Sequence, residues 1–225
     1  MRTTRALLAC GLVYALLYPV ANDVVAASIH DGYSPVSQAV SELSATGAPS
    51  RPFLVWVLPV FSLLQIGFGL GMWRAARGRL PVRVAGVLMV VHGAVSFLWL
   101  AAPMSRREVL AAGGATPADS AHLVLAGATG LFVAAYVVVL AFAFGWVFRV
   151  YSALTVATAL VFGMLSAQVE RIEAGEPTPS MGLLERIGIG AWLLWLAVAA
   201  IVLLREQRAP GCHAGRPGAS RPRLM

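Results

Sequence analysis

Six long apolar stretches divide the chain and alternate with short polar segments. A helix needs about 20 predominantly apolar residues to cross a bilayer, and each stretch meets or approaches that length. The pattern therefore predicts an all-α bundle of six membrane-spanning helices over Ala6–Ala27, Pro52–Trp73, Val84–Pro103, Leu123–Gly145, Tyr151–Gln168 and Met181–Leu204. These spans form one predicted membrane domain over residues 1–204. Residues 205–225, rich in Arg, Pro and Gly, are predicted to be a disordered tail.

The most polar segment, Ser34–Ala45, lies between the first two spans and begins with Ser-Pro. A hydroxyl cap followed by proline is typical of a helix start. Val36, Val40 and Leu43 then recur at i, i+4 and i+7, with polar residues such as Glu42 on the other faces. The segment therefore predicts a short amphipathic helix of about three turns. We expect it to lie on the outer interface or to pack across the mouth of the bundle.

The second span contains three closely spaced glycines, Gly67, Gly69 and Gly71. Small residues allow helices to approach closely within lipid, where no water-driven force brings them together. These glycines therefore predict contacts between the second helix and its neighbours.

The composition supports a membrane location. Hydrophobic residues make up 59% of the chain and charged residues 12%. Soluble domains contain about 45–50% apolar and about 25% charged residues, and a soluble fold this apolar would expose large apolar patches. The composition therefore indicates an integral membrane protein, with the lipid bilayer as its surroundings.

The basic residues predict how the chain is oriented. The net charge is +7, and all 17 basic residues are arginines; the lack of lysine suggests a GC-rich bacterial genome. Positively charged residues collect on the cytoplasmic side of short membrane loops. With the N-terminus inside, four arginines fall in outer loops (Arg51, Arg106, Arg107, Arg171) and twelve in inner segments. This predicts a multi-pass plasma-membrane protein with both termini cytoplasmic, and explains the basic charge without nucleic-acid binding.

The first apolar stretch has a second interpretation. Arg2 and Arg5 precede it, and Val25–Ser28 resembles the small-residue site at which a signal peptide is cleaved. Cleavage would leave five spans. The stretch is longer than a usual signal-peptide core and carries Asn22 and Asp23 near its end, which favours the interpretation as a span.

Ionisable residues are predicted to gather at the outer face. Inside a membrane such groups pair with one another or line a wet cavity. The sequence thus predicts an outward-facing polar pocket that takes a ligand, lipid or protein partner, with the candidate residues Asp23, His30, Glu42, Asp119, His122, Glu185 and Arg186. The alternative is that charged residues occur there because outer loops and helix ends are exposed to water. Glu185, in the first turn of a helix, would then be stabilised by the helix dipole alone.

Three of these residues suggest a metal site. His30, Asp119 and His122 could supply the three protein ligands of a catalytic zinc, if they converge. A metal-activated water would then make the protein a hydrolase acting on a lipid at the outer interface. The spacings match no His-Glu-x-x-His motif. The main interpretation is therefore a non-enzymatic membrane component with no cofactor, and zinc belongs to the alternative.

His92 is the one histidine predicted deep within a span. Haem ligation between His92 and His122 would require similar depths, whereas their positions differ by roughly 15 Å at about 1.5 Å per residue. We therefore expect His92 to be a neutral interior histidine bonded to a backbone carbonyl or a hydroxyl. A transporter would also need ionisable residues near the midplane, and the second, fourth and fifth spans offer almost none.

Two motifs resemble a known family. Tyr33–Leu43, with the sequence YSPVSQAVSEL, follows a first membrane helix as in the family called domain of unknown function 998. Gly182–Trp195, at the start of the last span, is similar to that family's last span. The resemblance extends from about Ala6 to Arg205. It implies a bacterial membrane protein with about six helices and no assigned activity, so no catalytic residue can be carried over.

Overall fold

A computed structural model of the chain describes residues 2–207. Over that range the fold is helical without strands, and six helices are long and apolar enough to cross a membrane. The predicted all-α bundle is therefore confirmed. Most of the predicted tail over residues 205–225 lies outside the described residues.

The six long helices are α1 (Arg2–Ile29), α2 (Arg51–Ala75), α3 (Leu80–Val95), α4 (Pro117–Ala141), α5 (Trp146–Ser166) and α6 (Met181–Glu206). Shorter helical pieces lie between them: the 3₁₀ turns Val40–Ser44 and Ser96–Leu100, and the short helices Arg107–Ala111 and Val169–Glu173.

The helix boundaries differ from those suggested by hydropathy, because local hydrogen bonds set them. Helix α4 begins at Pro117, six residues before the apolar run, since the Asp119 carboxylate accepts from the Thr116 amide at 2.8 Å and closes a capping box. Helix α5 begins at Trp146, directly after Gly145, and not at Tyr151. The first turns of α4 and α5 contain Asp119 and Arg149, which lower the local hydropathy, so a hydropathy average places both helix starts too late.

The long helices form a closed ring. Each one packs against the next in sequence, and α6 returns to pack against α1. Consecutive elements usually lie next to each other in space, and each connection joins two helices at the same end of the bundle, which makes them antiparallel neighbours. All odd-numbered helices therefore run one way and all even-numbered helices the other.

The glycines of α2 contact two neighbours, as the sequence predicts. A Cβ at Gly71 would lie 2.8 Å from the Leu8 amide of α1, and one at Gly67 would lie 3.0 Å from the sulfur of Cys10. Gly69 faces the other side, where a Cβ would lie 2.6 Å from the carbonyl oxygen of Gly86 in α3. Helix α2 thus lies in close backbone contact with both α1 and α3.

Helix α1 changes its hydrogen-bond pattern after Pro19. The next segment, Val20–Ala26, is a π-helix. Proline has no N–H to donate, and π-helical turns occur mostly as local insertions, frequently at functional sites. In this wider turn Asn22 is buried, while Asp23 lies half-buried and pairs with α6.

The interior is packed unevenly along the bundle axis. Fully buried large side chains concentrate in the half that contains the start of α1 and the end of α6, among them Leu8, Phe68, Met72, Leu140 and Leu203. That half ends in arginine-rich connections, where Arg79 pairs with Glu206 at 2.6 Å. The opposite half contains the cavity described below.

Candidate functional site

The three loops predicted to face outward meet at one end of the bundle, here called the capped end. The Thr46 amide of the first loop donates to the Met104 carbonyl of the second at 2.8 Å. The Thr178 hydroxyl of the third loop donates to the Ser37 carbonyl at 2.8 Å. Residues 30–50, here called the cap, lie between the other two loops and the start of α6.

The predicted three-turn helix in the cap is wrong, for a physical reason. In an α-helix the Val36 carbonyl would accept from the Val40 amide. Instead, the Val36 carbonyl accepts from the Leu183 amide of α6 at 3.0 Å. The Val40 amide donates to the Glu185 carboxylate at 2.6 Å. Contacts with α6 thus replace the internal bond, and only the 3₁₀ turn Val40–Ser44 remains helical.

Two features of the prediction are confirmed. Ser34 begins a single turn, in which its hydroxyl accepts from the Ser37 amide at 3.3 Å and its carbonyl accepts from the Gln38 amide at 2.8 Å. Val40 and Leu43 are buried and pack across the mouth of the bundle against Ala26 and Leu54. Val36, the third residue of the predicted apolar face, is not buried with them: half of its side chain is exposed.

Arg186 is the main anchor of the cap. Its Nε donates to Asp23 of α1 at 2.8 Å, Nη1 donates to the Pro35 carbonyl at 2.9 Å and Nη2 donates to the Tyr33 hydroxyl at 2.8 Å. A planar guanidinium suits this role because its donors point in fixed directions. One side chain therefore joins α1, α6 and the cap.

Tyr33 acts as a neutral donor within this network. Its hydroxyl donates to the Ala39 carbonyl at 2.9 Å and accepts from Arg186. Burial raises the pKa of Tyr33 to about 12, and the hydrogen bond from Arg186 acts in the opposite direction. The phenol therefore keeps its proton near neutral pH.

Glu42 and Arg107 form a second anchor, which joins the cap to the second loop. Nε and Nη2 of Arg107 each lie 2.7 Å from a different carboxylate oxygen of Glu42. The Gln38 side chain and the Ala39 amide also donate to this carboxylate, both at 2.9 Å. Glu42 is only 3% exposed, although the predicted amphipathic helix would have placed it away from the apolar face. A buried carboxylate requires this set of donors.

Gly182 allows the cap to lie directly against α6. A Cβ built at this glycine would overlap the carbonyl oxygens of Gln38 and Pro35. Gly182 is buried, and the next amide, that of Leu183, donates to the cap. The first turn of α6 is thus in contact with the cap backbone, and a side chain at residue 182 would separate the two.

Asp119 and His122 lie apart from the anchors, at the start of α4. The Asp119 carboxylate accepts from the amide and hydroxyl of Ser105 at 2.5 and 2.8 Å, and from the amide and hydroxyl of Thr116 at 2.8 and 2.7 Å. His122 lies 3.0 Å from the Ala102 carbonyl through Nδ1. These bonds fasten the second loop to α4.

The candidate metal ligands do not converge. His30 lies in the cap, where its Nδ1 is 3.5 Å from the Ser50 hydroxyl, whereas Asp119 and His122 bond to the second loop. Within residues 2–207, no group of three His, Cys, Asp or Glu side chains could hold a metal ion. Of the seven candidates, the structure brings together Asp23, Glu185 and Arg186, with Glu42 in the neighbouring anchor.

A cavity of about 560 Å³ lies beneath the cap, between the helices. Apolar side chains form most of its wall, including Leu58 and Val133. Polar groups that line it include Glu185 near the cap and the buried pair of Gln65 and His92. The volume falls within the range of about 300–1,000 Å³ that is typical of small-molecule sites.

His92 is interior, as predicted, but its partner is different. Nδ1 of His92 lies 2.6 Å from the side-chain amide nitrogen of Gln65 in α2, so the partner is neither a backbone carbonyl nor a hydroxyl. The imidazole ring stacks on Phe132, with centroids 5.2 Å apart. The pair joins α2 to α3 at the cavity wall.

Sequence reasoning did not identify Arg107 or Tyr33 as site residues. Tyr33 lies in the cap and Arg107 begins the short helix Arg107–Ala111. Their roles depend on tertiary contacts, of Arg107 with Glu42 and of Tyr33 with Arg186. One signal was available: a glutamate flanked by the apolar residues of the cap needs a cation if that segment is buried. Any of the four outer-loop arginines could have supplied this cation, so the sequence alone could not identify the partner of Glu42.

These features define an integral membrane protein with six candidate membrane-spanning helices, closed at one end by a folded loop. The chain belongs to the family described as "Protein of unknown function (DUF998)", whose family model matches residues 9–202. The resemblance recognised in the sequence is therefore confirmed. No curated protein and no solved structure matches the chain at a significant level.

The two arginines at residues 106 and 107 give a matched test of the second anchor. Arg107→Gln leaves a buried carboxylate without its cation, so we expect the free energy of unfolding to fall by about 3 kcal/mol. Arg106 pairs with Glu108 at 3.3 Å, and the two side chains are 47% and 64% exposed. Arg106→Gln should therefore change stability by less than about 1 kcal/mol. Thermal unfolding of both variants in detergent would measure this; equal losses would contradict the assignment.

Proposed function

We propose that the protein is a non-enzymatic membrane component that holds a lipid-like molecule in the cavity beneath the cap. The observation that carries this proposal is a cavity of about 560 Å³ with a largely apolar wall. Ligand sites of this kind combine an apolar wall with a few fixed polar groups. Here Glu185 and the pair of Gln65 and His92 would be those groups.

The side wall of the cavity supports entry from the bilayer. Gly130 of α4 and Gly163 of α5 both line the cavity, and a Cβ at either would meet no atom within 4 Å. The mouth, by contrast, is closed by the cap, where Val40 and Leu43 are buried. A hydrocarbon chain could therefore pass between α4 and α5 more readily than past the anchored cap.

We further propose that the capped end faces outward in the plasma membrane and that both termini are cytoplasmic. The arginine count supports this orientation, since the connections at the opposite end and the helix turns beside them contain Arg74, Arg77, Arg79, Arg83 and Arg149. A membrane-impermeant maleimide added to intact cells should label a cysteine placed at Val36, whose side chain is exposed. Labelling only after the cells are opened would show that the capped end faces the cytoplasm and would contradict the proposed orientation.

The metal-dependent lipid hydrolase has less support. Its candidate ligands lie in separate hydrogen-bond groups, His30 beside Ser50 and Asp119 bonded to Ser105 and Thr116. Catalytic zinc needs three protein ligands around one point. No arrangement within the described range provides them, so the non-enzymatic proposal fits the geometry better.

Two glycines of α4 provide a test of the cavity. Gly130 lines it, whereas Gly127 is exposed on the same helix and does not. Gly130→Leu would fill space in the cavity, while Gly127→Leu adds the same atoms on the outside. We expect Gly130→Leu to raise the Kd for dodecanol by about tenfold, a free-energy change of about 1.4 kcal/mol. Gly127→Leu should leave occupancy unchanged.

Native mass spectrometry of the purified protein in a non-ionic detergent would count the bound molecules directly. Failure of dodecanol, and of dodecyl chains with other head groups, to bind the unsubstituted protein would overturn the proposed function. Equal loss of binding in the two leucine variants would indicate that dodecanol binds on the outer surface of α4, and would also overturn the proposed function.

A further inference from the structure

Glu185 presents a free carboxylate oxygen to the cavity. It lines the cavity wall, and one of its oxygens accepts from the Val40 amide at 2.6 Å. The other oxygen accepts no hydrogen bond from any residue in the described range 2–207. The adjacent Arg186 does not neutralise it by direct contact, because its guanidinium bonds Asp23, Tyr33 and the cap carbonyls.

The rest of the cavity wall offers no cation to this carboxylate. Three acidic side chains line the cavity, those of Asp119, Glu173 and Glu185, and no arginine of the described chain does so. This is unexpected in a protein whose net charge is +7. Asp119 already accepts four hydrogen bonds, and Glu173 is exposed, whereas Glu185 is not. Glu185 is therefore the more enclosed acid with accepting capacity left for a ligand.

An acid in apolar surroundings gains most from a cationic partner. A carboxylate removed from water is unfavourable unless it is paired. Hydrogen bonds between an ammonium and a carboxylate are about twice as strong as neutral ones. An anionic head group would instead be repelled by the acidic side chains that line the cavity.

We propose that the cavity selects a long-chain amine, whose ammonium group bonds the free oxygen of Glu185 and whose hydrocarbon chain lies along the apolar wall. This inference rests on the proposed function, because it names the class of molecule that the same cavity holds. The polar end would lie beneath Val40 of the cap, beside α6. The chain would extend from there past Gly188 and Ile189, which also line the cavity.

Glu185→Gln is suited to the test because it removes the charge and keeps the anchor. A glutamine side-chain oxygen can still accept from the Val40 amide, so the cap should stay in place. Glu173→Gln is the matched control: Glu173 also lines the cavity, but lies in an exposed position on the short helix Val169–Glu173. Both variants change the total charge of the protein equally.

The experiment titrates the full-length protein, in non-ionic detergent at neutral pH, with dodecylamine, dodecanol and dodecanoate, and counts bound molecules by native mass spectrometry. These probes share one chain and differ in head-group charge. We expect dodecylamine to bind about tenfold or more tightly than dodecanol, as a charge-assisted hydrogen bond implies. Dodecanoate should bind most weakly. Glu185→Gln should abolish the preference for the amine while dodecanol still binds. Glu173→Gln should retain the preference for the amine.

The outcomes separate this inference from the proposed function. Equal binding of the three probes to the unsubstituted protein, or an amine preference that survives Glu185→Gln, would overturn the selection of amines and leave the lipid-holding cavity standing. Failure of every probe to bind would overturn both. The comparison among probes on the unsubstituted protein decides the question even if Glu185→Gln does not fold.

Discussion

The structure depends on an exchange of backbone hydrogen bonds between the cap and the first turns of α6. The Val36 carbonyl and the Val40 amide would bond to each other in an isolated helix, but here they bond to Leu183 and Glu185. Backbone polar groups out of water must be paired somewhere. Because α6 provides these partners, the cap can leave the helical conformation and lie flat across the bundle. The fold of the most polar segment is therefore set by a helix almost 150 residues later in the chain.

The same exchange explains the character of the first turns of α6. Gly182 admits the cap backbone, and Glu185 and Arg186 bond to it from successive positions. These charges lie among apolar residues because each has a structural partner. The resulting network fixes the cap over a half of the bundle that is less densely packed than the other. A closed mouth above an apolar cavity is the arrangement from which the proposed function and the proposed ligand class both follow.

The sequence was sufficient for the architecture and insufficient for the site. A bilayer requires about 20 apolar residues per helix, so the six spans could be predicted from the sequence. The Ser34 hydroxyl could be recognised as the start of a helical turn, because that signal is local. The conformation of the cap could not be predicted, since propensity and periodicity describe a segment alone and α6 overrides them. Arg107 was missed for the same reason: its bonds to Glu42 join two loops. Long-range pairing decides both cases.

Cross-linking between the cap and α6 tests the central claim most directly. Val36 and Leu183 bond through their backbones at 3.0 Å, and their side chains are 51% and 47% exposed. In native membranes, with Cys10 and Cys212 replaced by serine, cysteines at Val36 and Leu183 should be joined rapidly within one molecule by a short bifunctional thiol reagent. A control pair at Val36 and Leu194, about 16 Å further along α6 at 1.5 Å per residue, should not react. No cross-link at the first pair, or equal reaction of both, would contradict the docking of the cap on α6.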